Sequence, residues 1–112
     1  MEPLGKGAKK KKAKTSVNLE LMDFEVPMEG EVTLDIPNYS QMVGASFNSE
    51  TQKLMVHSVS GEYPKVKIKF LTMKSGSQVE VRKGGEQMVH LATCNTPQGV
   101  RHIFQWVRYS AQ

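Results

Sequence analysis

The residues whose type and spacing most clearly suggest a binding function are six lysines among the first 16 positions of this sequence. They are Lys6, Lys9, Lys10, Lys11, Lys12 and Lys14. Lysines on a chain without fixed structure neutralise phosphates and release counterions, so they bind nucleic acid with strong salt dependence and no sequence preference. No aromatic residue is interleaved with them, so this segment is not expected to stack on bases. An acidic protein surface is the other partner that these lysines would suit.

Two further roles of this lysine-rich segment stay open. It could act as a solubilising tail, since a block of like charges remains hydrated and repels other copies. The run KKKKAK at positions 9–14 would also fit a nuclear import address if the host were eukaryotic.

A second basic group alternates with apolar residues in the run KVKIKFL. Lys65, Lys67 and Lys69 share one parity, so in a strand they lie on one face and could extend a basic track onto the folded domain. The competing interpretation is that lysines on an exposed strand discourage edge-to-edge aggregation. We predict that these three lysines join the six N-terminal ones in binding a nucleic acid or another anionic partner.

The residues able to hold a metal are few and dispersed. His57, His90 and His102 all fall within predicted strands, where three imidazoles could meet at a metal but also serve as ordinary strand residues. The single cysteine, Cys94, excludes an internal disulfide and a cysteine-based zinc site. We therefore predict no metal and no cofactor.

Recognisable catalytic motifs are missing from the sequence. It contains no Walker loop, zinc deaminase signature or nucleophile elbow. Cys94 has no His–Asn relay beside it in the sequence, and the acidic residues are scattered singly rather than in a pair suited to acid–base chemistry. We expect a protein that is not an enzyme.

The charge of the chain divides sharply between two regions. Residues 1–16 carry the six lysines and one acid, Glu2, for a net charge of +5, whereas the remaining nine basic and ten acidic side chains give −1. With its glycines and its lack of an apolar face, the first region is expected to be a flexible basic arm. The chain of 112 residues thus predicts an arm over 1–16 and one β domain over 17–112. No apolar run is long enough for a membrane span, and a single cysteine gives no sign of an oxidising compartment.

The elements that must position these residues are short alternating runs separated by turn residues. Their number and spacing predict an all-β fold, a small sandwich or barrel of about eight mostly antiparallel strands. A change of parity near Leu21–Met22 predicts a bulge, and the runs 41–47 and 53–59 predict a hairpin. Residues 79–81 read as the start of a further short strand. The last strand, 100–109, is apolar on both parities and is expected to be central.

Four aromatic residues of the sequence admit two interpretations. Tyr63, Phe104, Trp106 and Tyr109 could form a stacking platform on a β surface. A strand with aromatic residues at alternate positions more often contributes them to a core.

Several segments of the chain resemble a functionally uncharacterised family of small β-rich proteins found largely in tailed bacteriophages. The matching segments lie within residues 24–106 and read FEVP (24–27), VTLDIP (32–37), VGASF (43–47), LMVHSV (54–59), KIKFLTM (67–73), HLAT (90–93) and QGVRHIFQW (98–106). The family usually has a tryptophan where Val56 or His57 stands here, and a Gly-Thr-Gly-His-type turn where residues 73–76 stand. The lysine-rich arm lies outside the family pattern. The resemblance implies a phage origin and an accessory or structural role, and no known activity.

From the lysines and this resemblance we expect a non-enzymatic, phage-type accessory binding module whose arm contacts nucleic-acid phosphates. The alternative is a structural virion component, a capsid decoration or head–tail protein, whose arm contacts neighbouring subunits or packaged DNA. A small inhibitor of a host enzyme is a third possibility. Partners would be nucleic acid, an acidic protein surface, further copies of the chain or virion proteins, with no membrane, in host cytoplasm or virion.

Overall fold

The described part of the chain folds into β-strands. The computed structural model describes residues 18–80 and 85–108. Its strands are β1 (Glu20–Val26), β2 (Gly30–Pro37), β3 (Gln41–Asn48), β4 (Lys53–Ser60), β5 (Lys65–Met73), β6 (Glu86–Thr96) and β7 (Gly99–Arg108). No helix occurs in the described residues, so the all-β prediction is confirmed.

The strands form two antiparallel sheets rather than a closed barrel. One sheet has three strands in the order β1-β4-β3, and the other has four in the order β2-β5-β7-β6. The predicted hairpin is β3 and β4, paired from Asn48↔Lys53 onwards. β7 lies between β5 and β6, which confirms that the last strand is central.

The strand count is seven in the described part of the chain rather than about eight. The predicted strand at 79–81 accounts for the difference, because residues 79 and 80 are not in a strand and residue 81 lies outside the described ranges.

One core lies between the two sheets, because alternate residues of each strand point inward. Its fully buried members come from both sheets and include Val26, Leu54 and Val56 on one side and Ile36, Phe70 and Ile103 on the other. Burying a side chain such as Phe70 contributes roughly 1.5–3 kcal/mol.

The predicted bulge near Leu21–Met22 is wrong. β1 pairs with β4 without interruption from Glu20↔Ser60 to Val26↔Leu54. The change of parity arises instead because Leu19 and Leu21 stay exposed on the outer face, at 63% and 64% of their full area. Register shifts occur elsewhere, between Met42 and Gly44 in β3 and between His90 and Ala92 in β6.

Some predictions fall on residues outside the described ranges. These are the six arm lysines (Lys6, Lys9, Lys10, Lys11, Lys12 and Lys14) and Tyr109. Within residues 18–80 and 85–108, no helix has the length and apolar character needed to cross a membrane.

Candidate functional site

One end of the sandwich brings together the start of the described chain and two connections that pass between the sheets. The β2–β3 connection carries Tyr39, and the β4–β5 connection carries Gly61 and Tyr63. Leu19 precedes β1 at this end, and Lys65 begins β5 there. We call the group Leu19, Tyr39, Gly61, Tyr63 and Lys65 the tyrosine end.

Two tyrosine rings form the surface of the tyrosine end. The ring centroids of Tyr39 and Tyr63 are 5.0 Å apart with an interplanar angle of 76°, an edge-to-face contact. Tyr39 is 79% exposed, the highest value among the exposed large apolar and aromatic side chains of the described residues. An exposed ring braced by a second ring offers a face on which a planar ligand can stack.

The backbone of Tyr39 adopts an unfavourable conformation. Its φ is +64°, in the left-handed region that glycine and asparagine enter readily and other residues enter at a cost of roughly 1–2 kcal/mol. The neighbouring Asn38 stabilises this turn, since its Oδ1 accepts a hydrogen bond from the Tyr39 backbone N–H at 3.0 Å. Strained residues of this kind concentrate at functional sites.

Hydrogen bonds fix the turn that carries Tyr39 to the rest of the sandwich. The Asn38 N–H donates to the Pro64 carbonyl at 2.9 Å, which joins the β2–β3 and β4–β5 connections. The Ser40 hydroxyl donates to the Pro37 carbonyl at 2.6 Å and lies 2.7 Å from the Ser60 hydroxyl. Because the single proton of Ser40 is used at Pro37, Ser60 must donate to Ser40. Tyr39 is therefore held on a rigid support.

Gly61 allows the chain to approach the tyrosine pair closely. A Cβ on this residue would lie 2.9 Å from Tyr63 Cε2 and 3.4 Å from Leu19 Cδ2, so a side chain has no room there. Leu19 is thereby located beside Tyr63. Lys14, the last lysine of the arm, precedes Leu19 by five positions in the sequence.

The three lysines of β5 run away from the tyrosine end along the outer face of the four-stranded sheet. Lys65 and Lys67 are exposed and Lys69 is half-buried. Lys67 forms an ion pair of 2.9 Å with Asp35, while Lys65 and Lys69 have no acidic partner within 4 Å among the described residues. The structure therefore confirms that they share a face and leaves two of the three cations available.

The interpretation of these lysines as protection for a sheet edge stays open. β5 lies between β2 and β7 in its sheet, but its register with β7 covers only Phe70 to Met73. Residues 65–69 pair with β2 alone, so lysines on this part of the strand can discourage the addition of another strand.

The aromatic residues of β7 do not form an exposed platform. Trp106 is only 8% exposed, and its Nε1–H donates to Glu31 Oε2 at 3.1 Å. Phe104 is half-buried with its ring centroid 5.3 Å from that of His90. Of the four aromatic residues singled out in the sequence, Tyr63 alone contributes to the tyrosine end, and Tyr109 is not described.

The three histidines do not converge. His57 lies on the three-stranded sheet, whereas His90 and His102 lie on the four-stranded sheet. Thr93 Oγ1 joins the latter two, at 3.1 Å from His90 Nε2 and 2.9 Å from His102 Nδ1. A hydroxyl has one proton, so at most one of these ring nitrogens can accept from it and at least one must donate to it. No group of three or more metal-ligating side chains occurs in the described residues.

Cys94 is enclosed in the core. It is 6% exposed, and burial raises the pKa of its thiol. Its surroundings therefore disfavour the thiolate that nucleophilic chemistry requires.

A groove of about 360 Å³ lies at the other end of β5. Its two fixed cations are Lys74 and Arg101. Lys74 Nζ lies 3.5 Å from Glu29 Oε1, and Arg101 donates through Nε to the Met28 carbonyl at 2.9 Å. Because these cations are engaged within the protein, the groove suits an anion less well than the tyrosine end does.

Sequence reasoning missed Tyr39. The signal was an aromatic residue in the turn Pro37–Asn38–Tyr39–Ser40, where the left-handed position usually holds glycine or asparagine. A bulky residue at such a position makes Tyr39 a candidate functional residue.

Comparisons with family models, with curated proteins and with solved structures found no match to this chain. The resemblance of residues 24–106 to phage proteins therefore stays a prediction from the sequence.

Proposed function

We propose that this protein is a nucleic-acid-binding module that grips the phosphate backbone with lysines and stacks bases on the tyrosine end. The observation that carries the proposal is the exposed Tyr39 ring, held in a strained conformation against Tyr63 at the end where the lysine-rich arm joins the domain. Stacking on an aromatic face contributes about 1–3 kcal/mol per base and tolerates any sequence.

The distribution of charge suggests separate roles for the lysines and the tyrosines of this interface. Residues 1–16 have a net charge of +5 and end three residues before Leu19. Lys65 lies two residues after Tyr63, and Lys69 continues the same face of β5. The arm would supply most of the affinity, while the tyrosines would favour unpaired bases and therefore single strands over duplex.

The phage resemblance supports an accessory role for this binding in a phage or its host. A structural virion component remains the alternative, with the same lysines facing packaged DNA or acidic neighbouring subunits. No feature of the described residues favours that alternative.

The test is binding of a fluorescent single-stranded oligonucleotide and a matched duplex at several salt concentrations. The full-length chain is compared with a full-length variant in which the six arm lysines are replaced by glutamine. For a single strand, each lost phosphate contact lowers the slope of log K against log salt by about 0.7. We expect a much shallower slope for the variant. Unchanged binding would refute the role of the arm. Absence of binding by either chain would refute nucleic-acid binding altogether and favour an acidic protein partner.

A further inference from the structure

Three polar side chains on the outer face of the three-stranded sheet form a continuous hydrogen-bonded row. Asp23 lies on β1, His57 on the central strand β4, and Ser46 on β3. His57 Nδ1 is 2.6 Å from Asp23 Oδ1, and His57 Nε2 is 2.8 Å from Ser46 Oγ. The carboxylate, the imidazole and the hydroxyl are thus connected in the order found in serine nucleophile sites.

The protons in this row have a defined arrangement. An ionised carboxylate only accepts hydrogen bonds, so Nδ1 of His57 carries the proton directed at Asp23. In the neutral ring Nε2 is then the acceptor, and the Ser46 hydroxyl donates to it. This is the tautomer in which the imidazole can remove the serine proton as a general base.

We propose that Ser46 is an activated nucleophile that accepts the acyl group of an apolar ester, with His57 as its base and Asp23 as the residue that orients His57.

Space for a substrate exists beside the row. Gly44 is the β3 residue paired with His57, and a Cβ built on it would meet no atom within 4 Å. The site is open to solvent, because Ser46 is exposed and the His57 side chain retains 27% of its exposed area. A bulky ester can therefore reach Ser46 without any movement of the backbone.

The surroundings of the row favour an apolar acyl chain. Leu21 pairs with Val59 in the register position next to Asp23↔His57, on the same face of the sheet. Leu21 is 64% exposed, and Val43, in the bulge of β3, is 53% exposed. Large apolar residues left in water beside a polar cluster are a surface that an alkyl chain would cover favourably.

The proposed reaction has two balanced steps. Ser46 Oγ bonds to the ester carbonyl carbon while its proton moves to His57 Nε2, and the carbon–oxygen bond to the alcohol then breaks as His57 returns the proton to the departing oxygen. Water then attacks the carbonyl carbon of the acyl-serine while its proton moves to His57 Nε2. The bond between that carbon and Ser46 Oγ breaks as His57 returns the proton to Oγ, and the products are a carboxylic acid and the regenerated Ser46 hydroxyl.

The test is covalent labelling of the full-length protein with a long-chain alkyl fluorophosphonate, followed by mass spectrometry of the labelled peptide. Attack by Ser46 forms an Oγ–phosphorus bond and releases fluoride. We expect the label on Ser46, its loss in Ser46→Ala, and labelling slowed about 100-fold in His57→Gln, since a general base typically contributes that much or more. Asp23→Asn should slow labelling about tenfold or more because it no longer fixes the tautomer.

The matched control is Ser49→Ala, which removes an exposed serine from the loop after β3 and should leave labelling unchanged. Wild-type labelling should also be slower in D2O than in H2O, which requires no variant. Labelling at another residue, equal rates in wild type and His57→Gln, or no label at all would each overturn the proposal.

A second comparison tests the apolar surface. Leu21→Gln should slow labelling by the long-chain probe more than labelling by an ethyl fluorophosphonate, whereas Val100→Gln, an exposed valine on the other sheet, should slow neither. Equal effects of Leu21→Gln on both probes would remove the acyl-chain assignment. None of these outcomes depends on nucleic-acid binding.

Discussion

Replacing Tyr39 by asparagine separates the function of this residue from its contribution to stability. The change removes a ring that is 79% exposed and puts a residue that tolerates the left-handed conformation at φ +64°. Relief of strain should stabilise the fold by roughly 1–2 kcal/mol. Loss of the edge-to-face contact with Tyr63 should cost about 0.5–1.5 kcal/mol. The two effects partly cancel, so the free energy of unfolding should change by no more than about 1.5 kcal/mol.

Single-strand binding should be weakened by the Tyr39→Asn replacement more than stability is changed. If one base stacks on Tyr39, its loss costs about 1–3 kcal/mol, which corresponds to a fall in single-strand affinity of roughly 5- to 150-fold. Duplex affinity should fall little, because paired bases are not available to the ring. Tyr39 carries no charge, so the slope of log K against log salt should stay the same.

The assay combines urea unfolding, followed by tryptophan fluorescence, with oligonucleotide binding by anisotropy at three or more salt concentrations. Tyr39→Phe is the matched control, since it keeps the ring and removes the hydroxyl, and it should bind nearly as well as wild type. Equal losses for single strand and duplex, or a changed salt slope, would refute stacking on Tyr39. A loss of stability above about 2 kcal/mol would show instead that the residue is structural.

Three further predictions concern charge, packing and ionisation. Replacing Lys65 and Lys69 together by glutamine should lower the slope of log K against log salt for a single strand by up to about 1.4, measured by the same anisotropy titration. The control Lys53→Gln, which removes a lysine paired with Glu25, should leave this slope unchanged. Thr72→Val should stabilise the protein by about 1 kcal/mol in urea unfolding, because the buried Thr72 Oγ1 finds no hydrogen-bond partner among the described residues; destabilisation would contradict this. Burial raises the pKa of the Cys94 thiol, so folding favours its neutral form and the free energy of unfolding should fall as the pH rises past the ordinary pKa of a thiol. The Cys94→Ala variant should not show this decline at alkaline pH. A thiol reagent should react with Cys94 far faster in urea than in buffer.

The strands were predictable where local alternation and burial agree. β2 and β5 read clearly because Val32, Leu34 and Ile68 all turn inward while their neighbours stay polar. β1 was harder, since Leu21 is apolar yet faces water. Alternation reports which residues share a face, and it cannot report which face is covered when both carry apolar residues.

The candidate sites were beyond the sequence because they depend on pairing between distant segments. Tyr39 and Tyr63 meet only because the β2–β3 and β4–β5 connections cross between the sheets at the same end. The Asp23–His57 contact joins residues 34 positions apart, and Ser46–His57 joins residues 11 apart. A motif search tests spacing along one element, so a row built across three strands escapes it. The expectation of a non-enzymatic protein was based on such motifs, and it stays a prediction.

The two proposed surfaces adjoin each other, which constrains how they could work together. Val59 of the apolar surface precedes Ser60, and the Ser60 hydroxyl donates to Ser40 in the turn that holds Tyr39. Alternate residues of a strand lie on one face, about 6.7 Å apart. Leu21 and Asp23 therefore follow Leu19 of the tyrosine end in two such intervals, in the direction of Ser46. Because the binding surface depends on lysine charge and the Ser46 row does not, removing the arm lysines should weaken nucleic-acid binding and leave the reaction of Ser46 with a small neutral probe unchanged. A ligand that needed both surfaces would have to be an anionic polymer carrying an apolar group, and for that ligand alone the arm would affect the reaction at Ser46.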